Sequence, residues 1–278
     1  MTATAWYGSV IIKMNLKKIP EKKSMNNNKI LSLLLAVYAS LSSFFCVFSD
    51  APFKVTLITV LYNEMHEQRK NEFITCFERN KQHPAIEHIH VVYDTSKDTA
   101  AHSEILDYLK QQECTISYVI GRPTYGYCFD LANGQYPNAR IILSNADIYF
   151  NDTLNKLEGY DLNNKFLAIT RWNVLDDGRL EIFKQFKADG SFDEPMSQLS
   201  MDAWIFKTPL KTFINPEFQL GTWACDGYIA YQAYISGLDV INPCLSIQCC
   251  HLHLSKIRHW IPQSIPGAKA LRVPWGTL

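Results

Sequence analysis

Residues 139–150, ARIILSNADIYF, set a lone carboxylate, Asp147, between two apolar runs. An Asp in that position is costly to bury unless donors or a metal satisfy it. Ligands of open α/β sheets sit just past the carboxyl ends of strands. Asp147 therefore reads as a metal- or phosphate-handling residue. The plainer alternative is an Asx-type turn built by Asn145 and Asp147. Further on, His251 and His253 stand two apart, which on a strand puts both on one face. They suit a second contribution to the same site, or are simply surface-facing histidines. Cys244, Cys249 and Cys250 crowd into the same ten positions as the two histidines. With Cys225 they raise a zinc alternative, although tetrahedral zinc sites prefer two closely spaced ligand pairs and the second pair is missing here.

These residues need strands and helices to aim them. Phe53–Tyr62 is rich in β-branched residues and reads as a first buried strand ending in Asn63-Glu64. His66–Gln82 reads as an amphipathic helix closed by Pro84. A strand over Ile89–Tyr93, a helix over Ser103–Gln112, a strand over Ile116–Ile120 and a helix over Tyr127–Asn133 follow, and then the run that ends at Asp147. Strand and helix alternate three times, which predicts a doubly wound, mostly parallel α/β sheet. After Asp147 the pattern is irregular. Strands are expected over Phe166–Trp172, Ala203–Phe206 and Cys244–Leu254, and a helix over Asp226–Gly237. Asp226 falls in that helix's first turn, where the dipole favours an acid for structural reasons alone.

The 278 residues leave room for one large domain or two small ones. An apolar fraction of 47% supports a substantial core. Lys plus Arg equals Asp plus Glu at 27 each, so no basic surplus points to nucleic acid. A basic extension over residues 1–29 precedes an uncharged apolar run at 30–49. That run is long enough to span a bilayer as a signal anchor, and its small residues also suit a cleaved signal peptide. With the lysines ahead of it, the remaining domain, 51–278, is expected on the non-cytoplasmic side, and an uncleaved run would tie it to the membrane. Met25 is a second candidate start. Seven cysteines lie beyond the run, an odd number that excludes a complete set of internal disulfides. Asn151-Asp152-Thr153 is a glycosylation acceptor pattern.

The order of polar strand ends resembles that of GT-A fold glycosyltransferases, most like the family 2 group, over roughly Phe53–Leu254. Val60-Leu61-Tyr62-Asn63-Glu64 resembles that family's first-strand end, where the nucleotide base is met. The segment from Val91 to Asp98 is similar to its second-strand motif around Asp94, with Tyr93 and Thr95 replacing the usual Asp and Gly. Ser144-Asn145-Ala146-Asp147 sits where the family has Asp-x-Asp, with Asn145 in the first place as a neutral partner to Asp147. Gly221-Thr222-Trp223-Ala224-Cys225-Asp226 resembles the glycine loop and acidic pair whose last Asp is the base of inverting members, with Cys225 replacing Glu. His251-Leu252-His253 lies where such folds supply a late metal-binding His.

The resemblance implies a metal-assisted transfer of sugar from a nucleotide diphosphate sugar to a glycan, protein or lipid acceptor, in a Golgi-like lumen if the chain is eukaryotic. A divalent cation, Mn²⁺ or Mg²⁺, would stabilise the leaving diphosphate, held by Asp147 and by His251 or His253. The acceptor hydroxyl needs a general base. Asp226 is the first choice. Asp202 is the second, and it also suits orienting the acceptor or capping a turn. Asn63, Glu64, Asp94, Asn145 and Arg122 would contact the donor, Arg122 pairing bidentately with phosphate or forming an ordinary surface ion pair. Trp223 and Trp172 would stack on a sugar face or pack in the core. A non-catalytic binder of nucleotide sugars or glycans is the main alternative, because fold likeness does not prove activity. The chain has no Gly-x-Ser-x-Gly elbow, which argues against a serine hydrolase.

Overall fold

A computed structural model describes residues 53–98, 103–259 and 261–278, with two short strands near the start. The chain divides into two units, Met1–Ala51 and Pro52–Leu278. In the first, Trp6–Tyr7 pairs antiparallel with Val10–Ile11. The apolar run at 30–49 and the rest of the basic extension lie outside the described residues. Among the described residues no helix is long and apolar enough to cross a membrane.

The second unit opens with β1 (Val55–Tyr62), α1 (Glu67–Gln82) and β2 (Ile86–Asp94), followed by a 3₁₀ turn, α2 (Glu104–Leu109), β3 (Thr115–Val119), α3 (Tyr125–Gln135) and β4 (Arg140–Ser144). Capping residues fix these starts. The Ser103 hydroxyl accepts from Leu106 N, and the Thr124 hydroxyl from Tyr127 N, each satisfying a donor the helix itself leaves free. The chain continues through β5 (Ile148–Phe150), β6 (Lys165–Ile169), β7 (Arg171–Val174), β8 (Leu180–Ile182), α4 (Glu194–Ser197) and β9 (Ala203–Lys207). It closes with β10 (Thr222–Trp223), α5 (Cys225–Ile235), β11 (Asp239–Ile241), β12 (Cys249–His251) and β13 (Ile261–Ser264).

One seven-stranded sheet runs β11-β6-β9-β4-β1-β2-β3. Only β9 is antiparallel to its neighbours, so the architecture is the doubly wound, mostly parallel α/β sheet that the sequence predicts. Side chains alternate between its two faces. Val55, Leu57, Ala203 and Ile205 pack with Phe73 and Phe77 of α1 and Ile105 of α2. Ile58, Trp204 and Phe206 pack with Phe129 of α3 and with Tyr228 and Ile229 of α5. Each such aliphatic side chain taken fully out of water stabilises the fold by about 1.5–3 kcal/mol.

The smaller sheet, β8-β7-β12-β5, lies where two expected strands need correction. The strand expected over Phe166–Trp172 breaks at Thr170 into β6 of the large sheet and β7 of the small one. The run 139–150 divides into β4 and β5 at the polar residues between its two apolar runs, as the sequence indicates. The expected strand Cys244–Leu254 shrinks to Cys249–His251, because a turn at Pro243 takes up its first part, with Ser246 N donating to Pro243 O. The polar residues between apolar runs are the points where the chain changes sheet. At the free edge of β5, Asn80 of α1 replaces a missing strand. Its amide donates to Ile148 O (2.8 Å) and accepts from Phe150 N (3.0 Å).

Asn80→Ala strips both buried backbone groups of their partner, and unsatisfied groups of that kind cost about 1–3 kcal/mol each. We expect a loss of about 2–4 kcal/mol in urea unfolding; a loss below about 0.5 kcal/mol would contradict this bracing role.

Candidate active site

The register of the small sheet brings the first two ligand candidates together. β5 and β12 pair antiparallel with Ile148 opposite His251, and Leu252 N donates to Asp147 O. His251 Nε2 then lies 3.0 Å from Asp147 Oδ2. A slip of one residue would turn His251 to the other face. Its Nδ1 lies 3.2 Å from Asn173 Oδ1. That amide oxygen also accepts from Arg171 Nε (3.2 Å), and a guanidinium only donates, so the amide's orientation is assigned. The proton therefore sits on Nδ1, and Nε2 faces the carboxylate. Two such atoms 3.0 Å apart need a positive centre between them, a proton or a cation. His253 is fixed in the same manner. Its Nε2–H donates to Ile257 O (2.8 Å), which leaves the Nδ1 lone pair free. Burial, with Arg69 and His251 nearby, pushes its pKa down to about 4, so the ring stays neutral.

Asp147, His251 and His253 offer ligand atoms that all lie within 4.8 Å of one another. Ligands about 2.1 Å from a hard cation are about 3 Å apart when adjacent and about 4.2 Å when opposite. The trio thus fits a divalent metal after a small closure. The zinc alternative is not supported by this grouping, since no cysteine joins the trio among the described residues. Burial pushes the Cys244 and Cys250 thiols up to about 12 and about 11.

Arg69 of α1 was not expected here, yet it governs the site. Its Nη2 donates to Asp147 Oδ2 (2.6 Å) and its Nη1 to Glu72 Oε2 (2.8 Å). Asp147 is only 7% exposed. Burial alone would raise its pKa, but His251 and Arg69 outweigh that and hold the carboxyl well below the usual range. Arg69 Nε is buried with no partner among the described residues, a cost that a ligand oxygen would relieve. Glu72 also accepts from Ser255 N (2.6 Å) and Ser255 Oγ (2.9 Å), which ties the segment after β12 onto α1.

The antiparallel strand β9 assembles a second group. Ala203 pairs with both Ser144 and Ile169, so Asp202, the residue just before β9, lies where β4 and β6 end. Asp202 Oδ1 accepts from Asn145 Nδ2 (3.1 Å) and Oδ2 from Arg171 Nη1 (2.9 Å). Asn145 thus turns to Asp202 rather than joining the metal trio as a neutral partner. The chain does turn here, but through the backbone, Ile148 N donating to Asn145 O (3.3 Å), rather than through an Asx-type side-chain bond. Asp226, partly buried at the start of α5, accepts from Cys225 Sγ (3.1 Å) and Met201 N (3.3 Å). Burial, and then the negative charge of Asp202, raise its pKa to about 7.

A cavity of about 670 Å³ lies at the carboxyl ends of β1, β2 and β4. Asn63, Glu64, Asp94, Arg122 and Asn145 all line it, and Ala146 leads from it to Asp147. Asp94 Oδ1 accepts from Ser96 N (2.9 Å) and Gly121 N (2.8 Å), so two backbone amides hold the carboxylate in place. Glu64 accepts from His66 N (2.9 Å) and meets His259 Nε2 at 3.0 Å. Arg122 donates to Leu220 O (3.2 Å) and His259 O (2.5 Å), so it spans the cavity mouth and is not an ordinary surface ion pair. Gly221 has φ +73, a left-handed backbone that favours glycine, and the lack of a Cβ leaves room for Arg122 Nη1 beside it.

Other candidates stand apart. Trp223 is 56% exposed and lines neither this cavity nor the one beside the histidines. Trp172 donates to Cys244 O (2.9 Å) and packs structurally. All seven cysteines beyond the apolar run are free thiols. Asn151 is poorly placed as a glycan acceptor: it donates to Gln248 Oε1 (2.7 Å) and accepts from Thr153 N and Oγ1.

No protein-family model and no curated protein matches the sequence. Solved structures similar to the chain include a mannosyltransferase from Pyrobaculum calidifontis in complex with GDP-Man and Mn²⁺ (14% identity, TM-score 0.45). GalNAc-T7 with UDP, GalNAc and Mn²⁺ (11%, 0.49) and S. aureus TarS in complex with UDP-GlcNAc (14%, 0.46) are also similar. They are GT-A fold glycosyltransferases. The matches cover 78%, 78% and 72% of this chain, which spans 64%, 46% and 58% of those chains in turn.

The Asp226 carboxyl titrates near 7 when folded against an ordinary 3.8. The folded state therefore holds this proton more tightly than the unfolded one, and stability falls as pH rises from about 4 to about 7. In Asp226→Asn that loss disappears. The Tm of the variant relative to wild type should climb between pH 4 and 7 and level off above. A difference that is flat from pH 4 to 8 would contradict the raised pKa.

Proposed function

We propose that the domain over 51–278 transfers a sugar from a nucleoside diphosphate sugar to an acceptor hydroxyl, with inversion. A divalent cation, Mn²⁺ or Mg²⁺, would be held by Asp147, His251 and His253. The observation that carries this reading is the trio itself. Two histidines have one nitrogen each tied to an acceptor and the other left for a ligand, beside a buried carboxylate at the end of the central sheet. The adjoining cavity is large enough for a nucleotide.

In this reading Asp94 and Asn63 face the nucleoside, and the diphosphate runs past Asn145 and Ala146 toward Asp147. A cation held by Asp147, His251 and His253 would supply positive charge to the departing diphosphate oxygens. Arg69 neutralises Asp147 and keeps it aligned through the buried ion pair. Asp226 takes the acceptor proton. A carboxyl that titrates near neutrality is matched to that transfer. Asp202, held between Asn145 and Arg171, raises the proton affinity of Asp226 by its charge. The lysines ahead of the apolar run at 30–49 support a domain on the non-cytoplasmic side, membrane-tied if the run is uncleaved.

The test is calorimetry of the full chain with UDP and GDP, with and without Mn²⁺. Wild type should bind one of them in a Mn²⁺-dependent manner, and Asp147→Ala should weaken that binding at least tenfold. Asp226→Asn should leave it within about twofold while slowing donor turnover on the order of 10²–10⁴-fold. Metal-independent binding, or none, would contradict the transferase reading. Normal binding in a wild-type protein that never turns over a donor would favour the non-catalytic alternative.

A further inference from the structure

A second cavity, about 620 Å³, opens on the other side of the metal trio, between the β7–β8 hairpin and residues 252–258. His251 and His253 line this cavity while Asn145 and Ala146 line the first, so Asp147 stands where the two approach each other. Asp202 has the same bridging position, bonded to Asn145 of one cavity and Arg171 of the other. A transferase needs two such compartments meeting at one centre.

The charges of the second cavity are uneven. Arg171 and Arg179 already have carboxylate partners, Asp202 and Asp177, at 2.9 and 2.6 Å. Lys256 and Arg258, both exposed at the rim, have no bonded partner among the described residues. Asp176 is the one remaining lining carboxylate. Their segment is deliberately held. Glu72 binds Ser255 at one end, His253 binds Ile257 O across it, and Lys256 itself has φ 58, a left-handed conformation that a lysine keeps only when its surroundings impose it. A cation at the trio would add further positive charge at the cavity floor.

We propose that this cavity is the acceptor site, and that its acceptor is anionic, carrying a phosphate or carboxylate that Lys256 and Arg258 grip. The inference rests on the transferase reading. The acceptor oxygen forms its new bond to the anomeric carbon as the bond from that carbon to the diphosphate oxygen breaks. The electron pair leaves with the nucleoside diphosphate, and the hydroxyl proton goes to Asp226, which accepts from Met201 N next to Asp202, the residue bonded to the lining of both cavities. The Arg171 guanidinium, stacked 4.0 Å over the Phe183 ring, forms a flat wall for the acceptor's ring or chain.

The experiment titrates glucose 6-phosphate, glucuronate and glucose into the full chain saturated with Mn²⁺ and whichever of UDP or GDP binds. The two anionic probes should bind at least tenfold more tightly than glucose, and their ratio distinguishes phosphate from carboxylate recognition. Lys256→Ala/Arg258→Ala should abolish the preference while nucleotide affinity changes less than twofold. Equal binding of glucose, or a preference that survives in the double variant, overturns the proposal. An anion preference in a protein that binds neither nucleotide would retain the anion site and sink the transferase reading.

Discussion

The buried carboxylate of Asp147 is the constraint on which the rest depends. Removing an ion of this size from water costs several kcal/mol even after relaxation. The structure offsets that cost with a guanidinium at 2.6 Å and an imidazole at 3.0 Å on the same oxygen. Each partner makes its own demand. Arg69 has to be delivered by α1, which must dock against β5, and Asn80 secures that docking through the free edge of the strand. His251 has to arrive from a strand more than a hundred residues later, in one register only. Glu72 then uses the Arg69 bond to hold the segment beyond β12 in place.

A second consequence follows from topology. β9 runs antiparallel between two strands whose carboxyl ends carry polar residues. The residue that leads into it therefore lands among them, and Asp202 meets Asn145 and Arg171. Burial, and then the charge of Asp202, raise the pKa of Asp226 to about 7. A nearby negative charge makes a carboxyl harder to ionise, and a proton acceptor near neutrality is the result at Asp226. Cys225 adds a neutral donor to Asp226, and the Tyr125 hydroxyl lies 3.5 Å behind it.

Much of this was legible in the sequence because buried parallel strands are written in β-branched runs. β1 and β4 could be located that way, and with them the polar ends that carry Asn63 and Asn145, while the antiparallel β9 showed as the apolar run that follows Asp202. Asp147 was visible as a charge interrupting an apolar run, and the histidine pair by its spacing. Arg69 and Glu72 were not, because helical periodicity assigns charged residues to the solvent face and both are buried against the small sheet. The small sheet was itself hidden. Its strands are three or four residues long, and two of them continue a run begun in the large sheet. Trp223, whose motif position suggests a sugar platform, lies exposed in β10 and lines neither cavity.

The most direct test is electron–nuclear double resonance of Mn²⁺ bound to the full chain. The account predicts nitrogen couplings from two imidazoles, one lost in His251→Gln and the other in His253→Gln, with phosphorus couplings appearing when a nucleoside diphosphate is added. A spectrum without imidazole nitrogen, or one unchanged in both variants, would contradict the metal site at Asp147, His251 and His253.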